Sequence, residues 1–219
     1  MPERKETKKY TFTVEGETEK WYLDWLAEQI NGCEEAKYKV SIVAQVQQNP
    51  SKFAKSQARF STPAITHICD VESNEPEHVK KFTDILDQID KANKLGKKIK
   101  YSLGYSNFTF ELWMILHKRD CCGPLDDRSQ YLAPICQCFG EDFEDLDHYK
   151  QKAAFLRCLG KLSLEDVKSA VGRAKQLAAQ NERDGNGIIK YSGYSYYREN
   201  PALSINEVVE RILRDCGVL

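Results

Sequence analysis

The sequence has no long apolar run, no excess of charge of one sign and no sign of secretion. No stretch approaches the roughly 18 apolar residues that span a bilayer, and the charged residues 1–9 are not followed by the apolar segment of a signal peptide. The formal net charge at pH 7 is −1, so any site for a polyanion must be local. These absences predict a soluble, cytoplasmic protein.

Internal repeats and low-complexity tracts are also absent, and 219 residues are enough for one sizeable core. Without a secretion signal, the eight cysteines are expected to be reduced thiols. Cys121, Cys122, Cys136 and Cys138 lie near His117, but their spacing differs from the two-residue gap that zinc ligands favour. Buried or loop thiols are therefore the favoured interpretation, with a zinc site as the alternative.

The first half of the chain alternates apolar strands with amphipathic helices. Strands are predicted near residues 10–15, 38–44, 64–70 and 98–103, with helices at 18–30, from Pro50, and from 76 to near Gly96. Such βαβ units specify right-handed crossovers. The fold class is therefore predicted to be α/β, with a Rossmann-like, mostly parallel sheet of about four strands flanked by helices.

The second half reads differently. Residues 108–117 form a dense apolar run typical of a buried helix, and the chain from there is predicted to be helical without a further strand. Residues 188–200, rich in tyrosine and glycine, are predicted to form a loop. We expect an α/β core at residues 1–118 and a helical subdomain at 119–219 that packs on it as a single unit.

Acidic residues follow two of the predicted strands. Glu15 ends the first strand beside Gly16, and Asp70 ends the third, with Glu72 two residues further on. The carboxyl ends of parallel strands are where α/β proteins place their ligands, and carboxylates are the ligands that Mg²⁺ prefers. Spacing alone leaves two interpretations open, a metal site or a turn cap at Asp70 and an ordinary strand end at Glu15.

Four sequence blocks resemble the RloB-like family, and they come in the family's order. They are Val-Glu-Gly-Glu-Thr-Glu at residues 14–19, Ile-Cys-Asp-Val-Glu at 68–72, the Ser-Asn and Phe-Glu-Leu-Trp block within 105–117, and Asn-Pro at 200–201. That family carries a Toprim-type domain and is associated with bacterial defence against phage, commonly beside an AAA or ABC-type ATPase. The resemblance therefore implies a Toprim-like fold.

The resemblance also implies roles for individual acids. Glu15 corresponds to the Toprim glutamate, Asp70 and Glu72 to its paired acids, and Glu111 to a further ligand at the same edge. The sequence departs from the family in two places, because the second paired acid is a glutamate and Phe108-Thr109 replaces proline and cysteine. Glu15, Asp70, Glu72 and Glu111 are the predicted catalytic residues, and the first three of them are the predicted metal ligands.

The function that this resemblance implies is a Mg²⁺-dependent nuclease, with Mn²⁺ as an alternative ion, that cleaves RNA, for example tRNA, or DNA. An ATPase is the expected partner, no membrane is expected, and a homodimer is left open. One alternative is a non-catalytic Toprim scaffold that binds the ATPase or a phage trigger. A weaker alternative is a nucleotidyl transferase or phosphatase that acts on small nucleotides.

Basic and aromatic residues supply candidate contacts to nucleic acid. The predicted contacts are Lys52, Lys55, His117 and Arg198. Further lysines could add phosphate contacts, and the tyrosines of residues 191–197 could add base contacts. Alternatively, the lysines form a solvated face and the tyrosines a locally packed loop. The further lysines are Lys94, Lys97, Lys98 and Lys100, and the short basic helix also carries Arg59. His67 is either a catalytic base or a residue that lines the sheet. The tryptophans are expected in the core. Alternatively, Trp113 is exposed and forms a docking surface.

Overall fold

Four strands rich in β-branched and aromatic residues form a parallel sheet within the described part of the chain. They are β1 (Thr7–Val14), β2 (Lys39–Val46), β3 (Ala64–Val71) and β4 (Lys100–Asn107), in the sheet order β2-β1-β3-β4. The computed structural model describes residues 5–57, 64–95, 99–121, 123, 125 and 127–219. Arg59, Gly96, Lys97, Lys98 and Cys122, which the sequence-based predictions used, lie outside the described residues.

Each crossover between these strands contains a helix, so the predicted βαβαβαβ order is confirmed. The crossover helices are α1 (Glu17–Gly32), α2 (Pro50–Ser56) and α3 (Pro76–Asn93). The Asn49 side chain caps α2 by accepting a hydrogen bond from the Lys52 N–H at 2.8 Å. The fold is therefore the predicted Rossmann-like α/β class.

The second half is mostly helical, as predicted. Its helices are α4 (Glu111–Leu116), a 3₁₀-helix (Arg128–Tyr131), α5 (Leu132–Phe139), α6 (Leu146–Lys150), α7 (Lys152–Leu159), α8 (Leu164–Arg183) and α9 (Ile205–Asp215). Helix α4 is shorter than the predicted helix over residues 108–117, because Phe108 has a left-handed backbone with φ of 60° and ends β4 in a tight turn.

The prediction that no strand follows residue 108 was wrong. The tyrosine-rich segment contains an antiparallel hairpin of β5 (Ile188–Tyr191) and β6 (Tyr194–Tyr197). Its two-residue turn, Ser192-Gly193, has φ of 47° and 82°, and positive values at both positions are typical of a type I′ hairpin turn. The turn also ties the hairpin to α3, since the Tyr191 hydroxyl donates to Asp87 at 3.1 Å.

Two apolar clusters lie on the two faces of the sheet. The larger one joins both halves of the chain, and its members include Phe12 of β1, Trp113 of α4, Phe155 of α7 and Ile212 of α9. The other packs α3 and the hairpin against β3 and β4. Trp113 is fully buried in the larger cluster, so it belongs to the core and offers no docking surface.

The hairpin and the last helix cover the β4 edge of the sheet. Ser106 forms an isolated antiparallel bridge with Leu203, and the Ser204 N–H donates to the Tyr105 carbonyl at 2.8 Å. Within the described residues, no helix is both long and apolar enough to cross a membrane.

Candidate functional site

Glu15 and Asp70 meet at the carboxyl edge of the sheet, as the sequence predicted. Strands β1 and β3 are neighbours, with Val14 in register with Ile68, so the two acids leave adjacent strand ends. The backbone N–H of Asp70 donates a hydrogen bond to Glu15 Oε2 at 3.1 Å. This contact fixes the Glu15 carboxylate against the end of β3.

Glu19 adds a third acid that the sequence-based prediction did not assign. It lies in the first turn of α1 and is 4% exposed, and the Thr18 hydroxyl donates to its Oε2 at 3.0 Å. A Cβ on Gly16 would lie 3.0 Å from the same oxygen, so glycine leaves room for this carboxylate. The signal for Glu19 was its helical spacing, since it shares the buried face of α1 with Tyr22 and Leu23.

Glu111 reaches the same edge because of the turn after β4. The Phe108 N–H donates to the Val71 carbonyl at 2.7 Å, and the Thr109 N–H bonds back to the Asn107 carbonyl at 2.8 Å. A left-handed φ at phenylalanine is strained, and such strain is often kept at functional sites. The turn directs Glu111 into the protein, where it is fully buried.

Lys150 supplies the positive charge that faces this buried acid. Its Nζ lies 3.3 Å from Glu111 Oε1, and the Thr109 hydroxyl donates to the other oxygen, Oε2. Lys150 ends α6, so the helical half of the chain contributes directly to the site.

Glu72 lies at the rim of the site and differs from the other acids. Its carboxylate forms ion pairs with Lys81 and with His78, the latter at 3.3 Å. Both partners come from α3, which follows β3 directly. Glu72, at the position that the sequence assigned to the second paired acid, is therefore held by Lys81 and His78.

Burial and mutual repulsion raise the pKa of the inner acids. Burial is the main cause of the raised pKa of Asp70, and the nearby carboxylates of Glu19 and Glu15 add to it. Burial likewise raises the pKa values of Glu19 and Glu15. Burial is also the largest single influence on Glu72 and opposes its ionisation, but the hydrogen bond from Lys81 and the interactions with Lys81, His78 and Arg128 together outweigh it and lower the pKa.

These acids line one cleft together with three basic residues. The cleft has a volume of about 260 Å³, and its lining includes Glu15, Glu19, Asp70, Glu72, Lys81, Arg128 and Lys150. The acids come from the ends of β1 and β3 and from α1, whereas the cations come from α3, the 3₁₀-helix and α6. The sequence-based prediction named four acids of the site, Glu111 included, but none of these cations.

The donor set suits a hard cation. Asp70 Oδ1 is buried and accepts no hydrogen bond from any described residue, and such an oxygen suits Mg²⁺. Glu111 Oε1 also accepts no hydrogen bond from the described residues, but Lys150 already pairs with it. Over the described ranges, no three or more His, Cys, Asp or Glu side chains stand close enough to form a complete metal cage. Mg²⁺ seldom uses such a cage, because it binds one or two carboxylates and completes its shell with water and phosphate.

The predicted nucleic-acid contacts fall outside the cleft lining. Lys52 and Lys55 are exposed on α2, and Arg198 is exposed but donates to Asn74 Oδ1 at 3.0 Å. His117 is 1% exposed, with its ring nitrogens 3.1 Å from the Tyr22 hydroxyl and 2.9 Å from the Trp113 carbonyl. The position of His117 in the core therefore does not support a contact with nucleic acid.

His67 is also a core residue. Its Nδ1 lies 2.8 Å from the Thr13 hydroxyl, and burial lowers its pKa to about 3. A histidine this deep in the sheet lines the strand and stays neutral at physiological pH, which favours the second of the two interpretations made from sequence.

Fold and site together define an α/β protein whose parallel sheet ends in an acid-lined cleft. The family model described as RloB-like protein matches residues 10–212, and the chain belongs to this family. No curated protein and no solved structure matches the chain.

Proposed function

We propose that the protein is a Mg²⁺-dependent nuclease of the Toprim type that hydrolyses phosphodiester bonds of RNA or DNA. The observation that carries this proposal is the meeting of Glu15, Glu19, Asp70 and Glu111 at the carboxyl edge of the sheet. Burial, with a smaller contribution from the neighbouring carboxylates, raises the pKa values of Glu15, Glu19 and Asp70, so ionisation of these acids would be favoured by a bound cation.

Asp70 and Glu15 are the residues that would hold the ion. Their contact places both carboxylates at one strand edge, and the buried Asp70 Oδ1 has no hydrogen bond with any described group. Bound there, a divalent ion would polarise the phosphodiester, lower the pKa of a water and neutralise the leaving oxygen. Glu72, which contacts Lys81 and His78, would lie at the edge of this metal site.

We further propose that the protein acts as an effector in defence against phage, with an AAA or ABC-type ATPase as its partner. Membership in the RloB-like family supports a role in defence. The ATPase would then release or trigger the nuclease, so cleavage is expected to depend on it.

The test is to express the chain with and without the neighbouring ATPase, supply Mg²⁺ or Mn²⁺, and follow tRNA, rRNA and plasmid integrity. Glu15→Gln should abolish cleavage, because it removes a charged ligand while preserving the side-chain shape. Glu28→Gln is the matched control, since Glu28 is an exposed acid on the same α1 helix, and should cleave like the unmodified protein. Absence of cleavage with the ATPase and either ion would contradict the proposal.

A non-catalytic scaffold is the second candidate, and one observation favours it. Lys150 and Lys81 already neutralise Glu111 and Glu72, so two of the acids are satisfied without a metal. A scaffold that binds the ATPase or a phage trigger should still defend cells after Glu15→Gln and Asp70→Asn. A nuclease should lose defence with either change, so a plaque assay on these variants separates the two candidates.

A further inference from the structure

The acid-lined cleft needs positive charge before it can accept a phosphate group. Its lining carries the acids Glu15, Glu17, Glu19, Asp70 and Glu72. A group of carboxylates repels a polyanion, and the chain as a whole has a net charge of −1 and supplies no attracting field. The attraction must therefore come from cations at the cleft itself.

Arg128 is the cation best placed to receive a ligand. It lines the cleft and is exposed. Its charge acts on Glu72 and helps to lower the pKa of that acid, but among the described residues no hydrogen bond or ion pair within 4 Å holds its guanidinium. Its backbone is nevertheless fixed, because Asp127 caps the 3₁₀-helix and the fully buried Tyr131 donates to Asn200 at 3.1 Å. A fixed backbone with a planar guanidinium that no described residue hydrogen-bonds suits bidentate binding of a phosphate.

Lys150 provides a second positive charge in the same cleft. Its ammonium contacts Glu111 at 3.3 Å and its side chain keeps 24% of its surface exposed. An ammonium has three N–H donors, so the contact with Glu111 leaves donors for a ligand. Lys81, in contrast, is already hydrogen-bonded to Glu72.

Both cations, Arg128 and Lys150, come from the part of the chain that follows the sheet. Arg128 precedes α5 and Lys150 ends α6, whereas Glu15 and Asp70 stand at the ends of β1 and β3. The cleft therefore has acids on its sheet side and cations on its helical side. A phosphate between them would contact the cations directly and leave the acids for an ion.

We propose that Arg128 and Lys150 form a phosphate-binding subsite, which holds one phosphodiester group of a nucleic-acid strand beside the acids of the cleft. That the ligand is a nucleic-acid strand rests on the proposed function. Phosphate binding at the subsite, however, requires neither a metal nor cleavage. Its binding can therefore be measured separately from catalysis.

The experiment measures fluorescence anisotropy of a labelled single strand of about 12 nucleotides, RNA or DNA, in EDTA between about 50 and about 200 mM salt. Arg128→Ala should weaken binding roughly tenfold, as expected for loss of a charged hydrogen bond. The slope of log affinity against log salt should fall by about 0.7, the value for one lost contact to a single strand. Arg128→Lys should keep the slope and lose part of the affinity, since lysine keeps the charge but not the fork geometry.

Arg183→Ala is the matched control, because Arg183 lies at the end of α8 outside the cleft and donates to Gln180. It should bind like the unmodified protein. Lys150→Arg tests the second residue and keeps the charge opposite Glu111, so the fold is maintained. An unchanged affinity and salt slope for Arg128→Ala would overturn the subsite.

Adenosine monophosphate serves as the competitor that tests whether the ligand is a nucleic-acid strand. It should compete far more weakly than the unlabelled strand, and equal competition would overturn the assignment of a strand as ligand. Because EDTA removes the metal, loss of binding in Arg128→Ala would support the subsite even if no cleavage is ever found. If the protein cleaves nucleic acid but Arg128→Ala has no effect, the nuclease proposal would stand and the subsite would be rejected.

Discussion

Asp70 and Glu72 stand two residues apart at the end of β3, but their pKa values shift in opposite directions. Asp70 belongs to the floor of the cleft, which we define as Glu15, Glu19 and Asp70. Glu72 belongs to the rim, which we define as Glu72, His78 and Lys81. The same functional group is thus disfavoured as an anion on the floor and favoured at the rim.

The comparison shows what each region contributes. On the floor, burial and neighbouring carboxylates oppose ionisation, so the floor gains most from an added cation. At the rim, Lys81 already provides that cation. A metal should therefore change the floor more than the rim.

The largest expected effect is on cleavage. Asp70→Asn should reduce the cleavage rate more than about 100-fold, because loss of a direct ligand should exceed the 10–100-fold typical of outer-shell partners. Glu72→Gln should reduce it by less than about tenfold, since Glu72 already has two protein partners. The measurement is a single-turnover cleavage assay with both variants at saturating Mg²⁺.

Equal losses for the two variants would contradict the distinction between floor and rim. Circular dichroism of each variant serves as the control for folding. Calorimetric titration with Mn²⁺ then separates lost metal binding from lost chemistry, because Asp70→Asn should weaken the binding and Glu72→Gln should not.

The next largest effect concerns stability. Lys150→Ala leaves Glu111 buried and without its ion pair, and breaking a buried pair costs about 3–5 kcal/mol. Lys150 is partly exposed, so we expect a loss of roughly 2–3 kcal/mol in the free energy of unfolding. Urea denaturation at neutral pH measures it.

Lys168→Ala is the control for this stability change. Lys168 forms only an exposed pair with Glu165 on α8, so its loss should cost less than about 1 kcal/mol. Adding Glu111→Gln to Lys150→Ala should restore much of the stability, because the buried charge is then gone. A double variant as unstable as the single one would show that Lys150 acts through packing and not through Glu111.

The pH dependence of stability should differ in sign between floor and rim. The pKa of Asp70 is raised above its ordinary value of 3.8 in the folded protein, so its contribution is favourable at low pH and is lost as pH rises through the folded pKa. Glu72 has a pKa lowered from 4.5, so its contribution is present above that value and is lost as pH falls.

Each variant is therefore compared with the unmodified protein by urea denaturation between about pH 4 and pH 8. Asp70→Asn should become relatively more stable as pH rises, and Glu72→Gln relatively less stable. Titration of the buried His67 and His117 cancels in both differences, because each variant retains them. Differences of the same sign for the two variants would refute the comparison.

Much of the floor was predictable from sequence, and its surroundings were not. Glu15 and Asp70 follow apolar strands directly, and parallel strands end at one edge, so their meeting needs only the strand order. Glu19 could also have been predicted from the sequence, since helical spacing places it on the buried face of α1. No local pattern links Lys81, Arg128 and Lys150, which three separate elements bring to one cleft.

The second half shows the same limit in another form. The sequence predicts a contact to nucleic acid at His117, which ends an apolar block, but tertiary packing buries this residue against Tyr22 and Trp113. The hairpin differs from the predicted loop, which rested on the tyrosine and glycine content of residues 188–200. Ser192-Gly193 between two short β-branched and aromatic runs was nevertheless a hairpin signal.

The smallest predicted effect lies in this hairpin, away from the cleft lining. Gly193 has φ of 82°, and no atom lies within 4 Å of a Cβ added there, so Gly193→Ala should cost about 1 kcal/mol from the backbone alone. Gly187→Ala is the matched control, because its added Cβ also meets nothing, its φ is not left-handed, and alanine restricts the unfolded chain. Thermal unfolding should therefore show a lower Tm for Gly193→Ala and an equal or higher Tm for Gly187→Ala. Neither change should alter how stability varies with pH, because neither glycine approaches the floor or the rim. A changed pH dependence in Gly193→Ala would mean that the hairpin, through its contacts with α3, helps set the charges of the rim.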